Sequence, residues 1–297
     1  MTSNEARYMA ATGMFDGLHA GHLFVLAELR RRAAARGLQP MVISFANHPS
    51  ETLRPDKPVR LLMSAPAKRK AIRELAGIDT VEIIDFTPDF AAMTAAQYLA
   101  TLKKKGIAAL AMGFNNHIGS DRLDATDAAA LGIIDIEQLP PCPGDETTSS
   151  SALRHAIADA DLDTAASLLG RPFAIDGTVV GGKRLGRTIG FPTANIAPTL
   201  GSRQLLPPDG VYAADITLEG ETATRRAMVN IGVRPTVDNS ATPARSIEAH
   251  ILDFDADIYG NPVSLAFLRR LRSERRFPSL DALRAQLALD ATAARHI

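Results

Sequence analysis

Ten residues, Gly186-Arg-Thr-Ile-Gly-Phe-Pro-Thr-Ala-Asn195, put backbone freedom beside hard oxygen donors. Gly186 and Gly190 permit torsions and close approaches that a side chain forbids, and Pro192 fixes the chain just before Thr193. The Thr193 hydroxyl and the Asn195 amide carbonyl suit Mg²⁺, which keeps several waters and takes much of its remaining shell from phosphates. The run reads as a phosphate and metal loop, with Gly186 and Arg187 as further candidate cofactor contacts. A plain Gly/Pro turn between two strands is the competing reading.

A second constellation, Gly13-Met-Phe-Asp-Gly-Leu-His-Ala-Gly-His22, follows a β-type run and opens a helical pattern. Three-residue spacing puts His19 and His22 on one face of a first helical turn, and Gly21 between them lets a nucleotide approach the backbone. Gly13 and Phe15 lie in the same loop and are candidate nucleotide contacts. The free N–H groups and partial positive charge of a helix start suit a polyphosphate, whereas a lone histidine is more often structural. A third run, Ser149-Ser150-Ser151-Ala-Leu-Arg154, can cap a helix while its serines and the forked Arg154 cation meet phosphate oxygens.

These groups need elements to hold them. In the first half, β-type runs at 8–12, 41–46, 81–85, 109–112 and 133–136 alternate with helical patterns, one from about Pro66 to Gly77 and one capped by Thr94. Such alternation predicts a doubly wound parallel sheet, with ligands beyond the carboxyl ends of its strands. After two short helical patterns and Gly170-Arg171-Pro172, β runs at 174–180, 211–218, 227–231, 247–252 and 263–268 predict a small antiparallel barrel. Leu280, Leu283, Leu287 and Ala288, behind a capping Ser279, predict a closing C-terminal helix. The expected domains are 1–170 and 171–297.

The whole chain narrows the class. At 297 residues two domains are expected, and 46% hydrophobic with 22% charged residues is ordinary for a globular protein. Lys+Arg 33 balances Asp+Glu 33, so no global polycation exists to bind nucleic acid. Cys142 is the only cysteine, which excludes an intrachain disulfide and fits a reducing cytoplasm. The first ten residues lack a signal-peptide core, and no run approaches the ~18 apolar residues that span a bilayer. Small-molecule substrates are expected, with no nucleic acid, membrane or obligate protein partner.

The His-x-Gly-His block is the signature of the nucleotidylyltransferase superfamily, which residues 8–160 resemble, and Ser149–Arg154 matches its second nucleotide motif. Behind it come Pro208-Asp-Gly-Val-Tyr212, Ile231-Gly-Val-Arg-Pro-Thr236, Glu248-Ala-His-Ile-Leu-Asp-Phe254, Asp257-Ile-Tyr-Gly260 and Arg276-Phe-Pro-Ser-Leu280. In this order the blocks resemble the bacterial bifunctional riboflavin kinase/FAD synthetase family over nearly the whole chain. The resemblance implies that the barrel phosphorylates riboflavin with ATP and Mg²⁺, using Thr193 and Asn195 for metal and phosphate and Glu248 as base. It implies that the first domain adenylylates FMN to FAD with release of pyrophosphate, using His19 and His22, with Ser150, Ser151 and Arg154 at phosphate. Asp253 is a rival carboxylate displaced from the base's position.

Three departures stand out. His48 fits a Phe-x-Pro-His-Pro block except that Asn47 replaces proline, which predicts a looser loop. In Gly113-Phe-Asn-Asn-His-Ile-Gly119, Asn115 keeps the family's polar position, but Asn116 and Ile118 replace two aromatics. At about 0.5–1.5 kcal/mol per lost ring contact, flavin affinity falls roughly tenfold to hundredfold. The rival readings are a kinase with a degenerate first domain and a non-catalytic flavin or nucleotide sensor.

Overall fold

The computed structural model describes residues 7–143, 148–182, 185–233 and 245–297, with no account of the side chains of Leu185 and Arg187. The chain divides into two compact units, Met1–Ser150 and Ser151–Ile297.

The first unit is a five-stranded parallel sheet in the order β3-β2-β1-β4-β5. Its strands are β1 (Tyr8–Thr12), β2 (Gln39–Phe45), β3 (Thr80–Ile84), β4 (Ile107–Met112) and β5 (Asp135–Gln138). Period-two alternation makes it a two-faced core: Met9 and Ala11 pack on one side and Ala10 on the other. On the first face lie α1 (Ala20–Ala35) and, after the short α2 (Pro49–Leu53), α3 (Ala65–Ala76). The second face carries α5 (Ala95–Lys104) and α6 (Ala125–Ala130), with Phe90 of the short α4 (Pro88–Ala92) against it.

Capping explains where these helices start and stop. Ser64 caps α3 through Ala67 N, Thr94 and Gln97 form a capping box on α5, and Gly77 ends α3 in the left-handed region at φ +62°. The strand order reverses direction between β1 and β4, so their carboxyl ends flank the crevice where such sheets bind ligands.

The second unit opens with α7 (Ser150–Ala158), at whose head the division falls, and α8 (Leu162–Leu169). The expected boundary at 170/171 lies after α8, which packs on the barrel strands β6 (Phe173–Val180) and β11 (Pro262–Arg272). The barrel is closed and six-stranded, in the order β10-β7-β6-β11-β8-β9. The remaining strands are β7 (Ala194–Pro198), β8 (Gly210–Leu218), β9 (Thr224–Val233) and β10 (Arg245–Ile251), with the one-turn α9 (Leu185–Thr188) between β6 and β7. Sequence patterning anticipates five of these strands. β7 is absent from it because its polar Asn195 and terminal Pro198 mask a five-residue strand.

Inside, the Phe267 ring packs edge-on against Tyr212 at 5.6 Å and stacks with Phe173 at 6.2 Å. The C-terminal α10 (Leu280–Arg295) is bound to the barrel by Arg272, whose Nε donates to both oxygens of buried Asp290 at 2.9 and 3.1 Å. Arg226 adds a bond to the Ala294 carbonyl at 2.9 Å.

The loop after β4 is seated on α5 by Asp121, whose carboxylate accepts from Ala95 N at 2.8 Å. Gly119, at φ +75°, permits this approach: a Cβ there would lie 2.2 Å from both Ala95 N and Asp121 Oδ1. Gly119→Ala should destabilise the first unit by about 2 kcal/mol or more through overpacking and backbone strain, measured by denaturant unfolding.

Candidate functional sites

In the first unit, residues 13–19 fold as a tight loop between β1 and α1. Phe15, Gly17 and Leu18 all have positive φ, at 45°, 80° and 47°. Two of these are not glycine, a concentration of strain that needs strong external restraint. Some restraint is apolar, since Phe15 and Leu18 are buried in the core beneath α1. More is polar. Fully buried Asp16 accepts from Leu62 N at 3.1 Å and Met63 N at 3.2 Å, and Lys68 Nζ donates to the Met14 carbonyl at 2.8 Å.

The loop delivers two histidines. His19 is the N-cap of α1, its Nδ1 accepting from His22 N at a long 3.4 Å, and the two rings stack with centroids 3.7 Å apart. Gly21 lies between them in the first turn. Phe15 meets the His22 ring edge-on at 5.3 Å. It therefore supports the histidines from the core side, and Gly13 makes room for it, since a Cβ at Gly13 would be 3.2 Å from that ring. Ser150, the last residue of the first unit, donates from its Oγ to the Asp16 carbonyl at 3.2 Å. Ser151 and Arg154 share a face of α7 at three-residue spacing, Arg154 half-buried.

Beside this loop, a cavity of about 350 Å³ opens at the carboxyl ends of β1 and β4. Its wall is aromatic: Phe45, Phe86 and Phe90 pack edge-to-face with centroids 5.2–5.4 Å apart, and Tyr98 joins Phe90 at 5.5 Å. Tyr98 Oη and Thr12 Oγ1 are 2.6 Å apart. Burial pushes the Tyr98 hydroxyl up to about 12, so it stays neutral. Asn116, His117, Ile118 and Arg122 also line the cavity, whereas Asn115 is exposed on the adjoining loop.

The looser loop expected at Asn47 does not occur. Its amide clamps Phe86, with Oδ1 accepting from Phe86 N at 2.7 Å and Nδ2 donating to Phe86 O at 3.1 Å. Two hydrogen bonds restrain what a proline ring would. His48 then caps α2, Nδ1 accepting from Ser50 N at 3.1 Å while Glu51 returns a bond to His48 N.

In the barrel, register does the positioning. Glu248 of β10 lies directly opposite Asn195 of β7 on one side and Asn230 of β9 on the other. Cross-strand partners share a face with Cβ atoms about 4.5–5.5 Å apart. Asn195 is buried, and Gly182 leaves the space for its amide: a Cβ there would be 2.0 Å from Asn195 Nδ2. Two residues along β10, His250 Nδ1 contacts the Pro192 carbonyl at 2.7 Å, and its ring lies 5.2 Å from Phe191. Gly186 closes the preceding turn, its carbonyl accepting from Phe191 N at 2.9 Å. A Cβ at Gly186 would meet the Phe191 carbonyl at 2.1 Å.

Thr193 lines a cleft with Ala249, Phe254, Asp255, Asp257 and Tyr259. Asp255 and Asp257 line this cleft with Thr193, whereas Asn195 and Glu248 are not among its lining residues. Asp253 is engaged elsewhere: its carboxylate pairs bidentately with Arg295 of α10, which holds it below the usual carboxylate range. A further carboxylate, Glu274, accepts from Asn230 Nδ2 at 3.0 Å above Gly232, where a Cβ would collide with it at 2.1 Å. The side chain of Arg187 and residues 183–184 and 234–236 of the family blocks lie outside the described residues.

Residues 1–151 match the sequence model of FAD synthetase, and residues 169–297 that of riboflavin kinase. A bifunctional riboflavin kinase/FMN adenylyltransferase of Escherichia coli strain K12 is 40% identical over 293 residues, covering 95% of this chain and 90% of the relative. The chain belongs to the bifunctional riboflavin kinase/FMN adenylyltransferase family. Relatives of the same description in Pseudomonas fluorescens and Bacillus subtilis strain 168 are 35% and 32% identical, covering 97% and 96% of this chain and 92% and 91% of their own lengths. A solved structure from Streptococcus pneumoniae, titled a macrolide-efflux protein, superposes with TM-score 0.85 at 30% identity, covering 98% of this chain and 95% of that one. Among the described residues here, no helix is long and apolar enough to cross a membrane.

Several residues that line the aromatic cavity escape local sequence reading. Phe86, Phe90 and Tyr98 lie far from Phe45 in sequence, and only the sheet gathers them. His250 was within reach, since strand alternation puts it on the same face as Glu248.

Lys68 gives a pH signature. Burial pulls its ammonium from 10.5 down to about 8, opposed in part by the Asp16 carboxylate. Between those values the unfolded chain binds more protons than the folded one, so stability rises as pH increases through that window. The difference in unfolding free energy between wild type and Lys68→Met should therefore shift toward wild type by up to about 3 kcal/mol from pH 7 to 11. Denaturant titrations at both pH values measure it.

Proposed function

We propose that this chain makes FMN in its barrel and FAD in its parallel-sheet unit, with the chemistry resting on the residues above. The observation that carries the kinase assignment is the register of Glu248 against Asn195, which sets a carboxylate beside the Pro192–Asn195 segment. In riboflavin phosphorylation, the 5′-hydroxyl loses its proton to Glu248 as its oxygen attacks the γ-phosphorus of ATP, and ADP leaves. A positioned base of this kind contributes about 10²–10⁴-fold. The Thr193 hydroxyl and the Asn195 amide oxygen are hard oxygen donors of the kind Mg²⁺ takes, and these two residues would hold the ion. Bound there, the ion supplies charge neutralisation at the phosphates.

In the first unit, a phosphate oxygen of FMN attacks the α-phosphorus of ATP and pyrophosphate leaves. The nucleophile is already anionic, so alignment and electrostatic stabilisation carry the catalysis. His19 and His22, stacked at the head of α1, meet the polyphosphate at the positive end of that helix. Ser150 serves as a further phosphate contact, and His48 and Asn115 border the site. The isoalloxazine ring packs on the Phe45, Phe86, Phe90 and Tyr98 wall, and this wall weighs against a degenerate first domain. Riboflavin, FMN and ATP suffice as partners. A cytoplasmic setting, with neither nucleic acid nor membrane involved, fits a chain of balanced charge and one cysteine.

Glu248→Gln should lower riboflavin phosphorylation at least about hundredfold while FAD synthesis from supplied FMN stays near wild type. His22→Ala should do the reverse. Separate assays of the two reactions check this, and equal damage to both in a folded protein would refute two independent sites.

A further inference from the structure

α3 turns a lysine into the interior. Its buried stripe is Lys68, Ile72 and Ala76, and an ammonium on such a stripe carries a desolvation cost that an aliphatic residue avoids. Lys68 is 1% exposed, and its Nζ donates to the Met14 carbonyl at 2.8 Å, the Phe45 carbonyl at 2.7 Å and Ser44 Oγ at 3.2 Å. Ser44, fully buried, donates a hydrogen bond from its Oγ to the Met14 carbonyl at 2.9 Å.

The acceptors belong to two different parts of the site. Met14 precedes the positive-φ Phe15 in the loop that ends in His19 and His22. Phe45 ends β2, lines the aromatic cavity and leads into Asn47 and His48. An irregular loop cannot satisfy such a carbonyl through a strand ladder, and three donors on one compact head are what lysine offers. A stabilising filler would need none of this polarity, since an unbranched apolar chain of similar volume fits the same channel at lower desolvation cost.

We infer that Lys68 is a positioning residue for adenylyl transfer, one cation that fixes the nucleotide loop and the flavin wall relative to each other. The inference rests on residues 13–22 being the nucleotide site. It predicts damage confined to FAD synthesis, in turnover as well as in substrate affinity.

The test compares full-length wild type, Lys68→Met, Ser44→Ala and His22→Ala, measuring kcat and KM for ATP and FMN in FAD synthesis and riboflavin phosphorylation in the same preparations. Circular dichroism at the assay temperature identifies folded variants. Folded Lys68→Met should lose about tenfold to hundredfold in kcat with both KM values raised, because sub-ångström misplacement of reacting groups is felt at this scale. Riboflavin phosphorylation should stay within about twofold, and Ser44→Ala, which breaks only the relay, should lose a few-fold in kcat. A folded Lys68→Met with kcat and KM near wild type would overturn the inference. If Lys68→Met does not fold, an unaltered Ser44→Ala overturns it instead. His22→Ala separates the two layers: FAD synthesis surviving that change would bring down the site assignment and the inference with it. Loss in His22→Ala with retention in folded Lys68→Met defeats the inference alone.

Discussion

Phosphate transfer tolerates little misplacement, and backbone hydrogen bonding supplies most of the precision in this chain. In the barrel the decisive constraint is the ladder that places Glu248 between Asn195 and Asn230. A slip of one residue would turn Glu248 to the opposite face and bring an apolar neighbour in its place. Neither Gly182 nor Gly232 does chemistry. Each leaves the volume that lets a polar group, the Asn195 amide or the Glu274 carboxylate, lie against a strand.

The first unit meets the same requirement by other means. Its nucleotide loop leaves regular structure for seven residues, and buried polar groups from three directions hold the strained turn: Asp16 toward Leu62 and Met63, Lys68 from α3, and Ser44 from β2. Satisfied buried networks of this kind specify one conformation, whereas an unpaired member is expensive. The cavity beside it has an aromatic wall of edge-to-face rings together with polar Asn116, His117 and Arg122.

Much of this was legible in the sequence, and the failures have physical causes. Strand and helix alternation gave the parallel sheet because burial on two faces imposes apolar runs of the right length. His19 and His22 were recognisable because a short-range spacing determines their meeting. β7 was not, because polar Asn195 and terminal Pro198 break the pattern that marks a strand. Asn47 misled for a related reason: the loss of a proline is visible locally, but the compensating clamp on Phe86 is 39 residues away. The same distance problem hid the aromatic wall, whose rings come from separate parts of the chain. Asp253 was a plausible base until α10 brought Arg295 to it. Lys68 looks like any helix lysine until its stripe is seen to face inward.

The central claim is that one chain holds two complete transfer sites. It is tested most directly by supplying FMN, ATP and Mg²⁺ without riboflavin and following FAD and pyrophosphate together. The account predicts that both appear in equal amounts, from the same preparation that converts riboflavin to FMN. FMN left unconverted, with no pyrophosphate released while riboflavin phosphorylation proceeds, would contradict it.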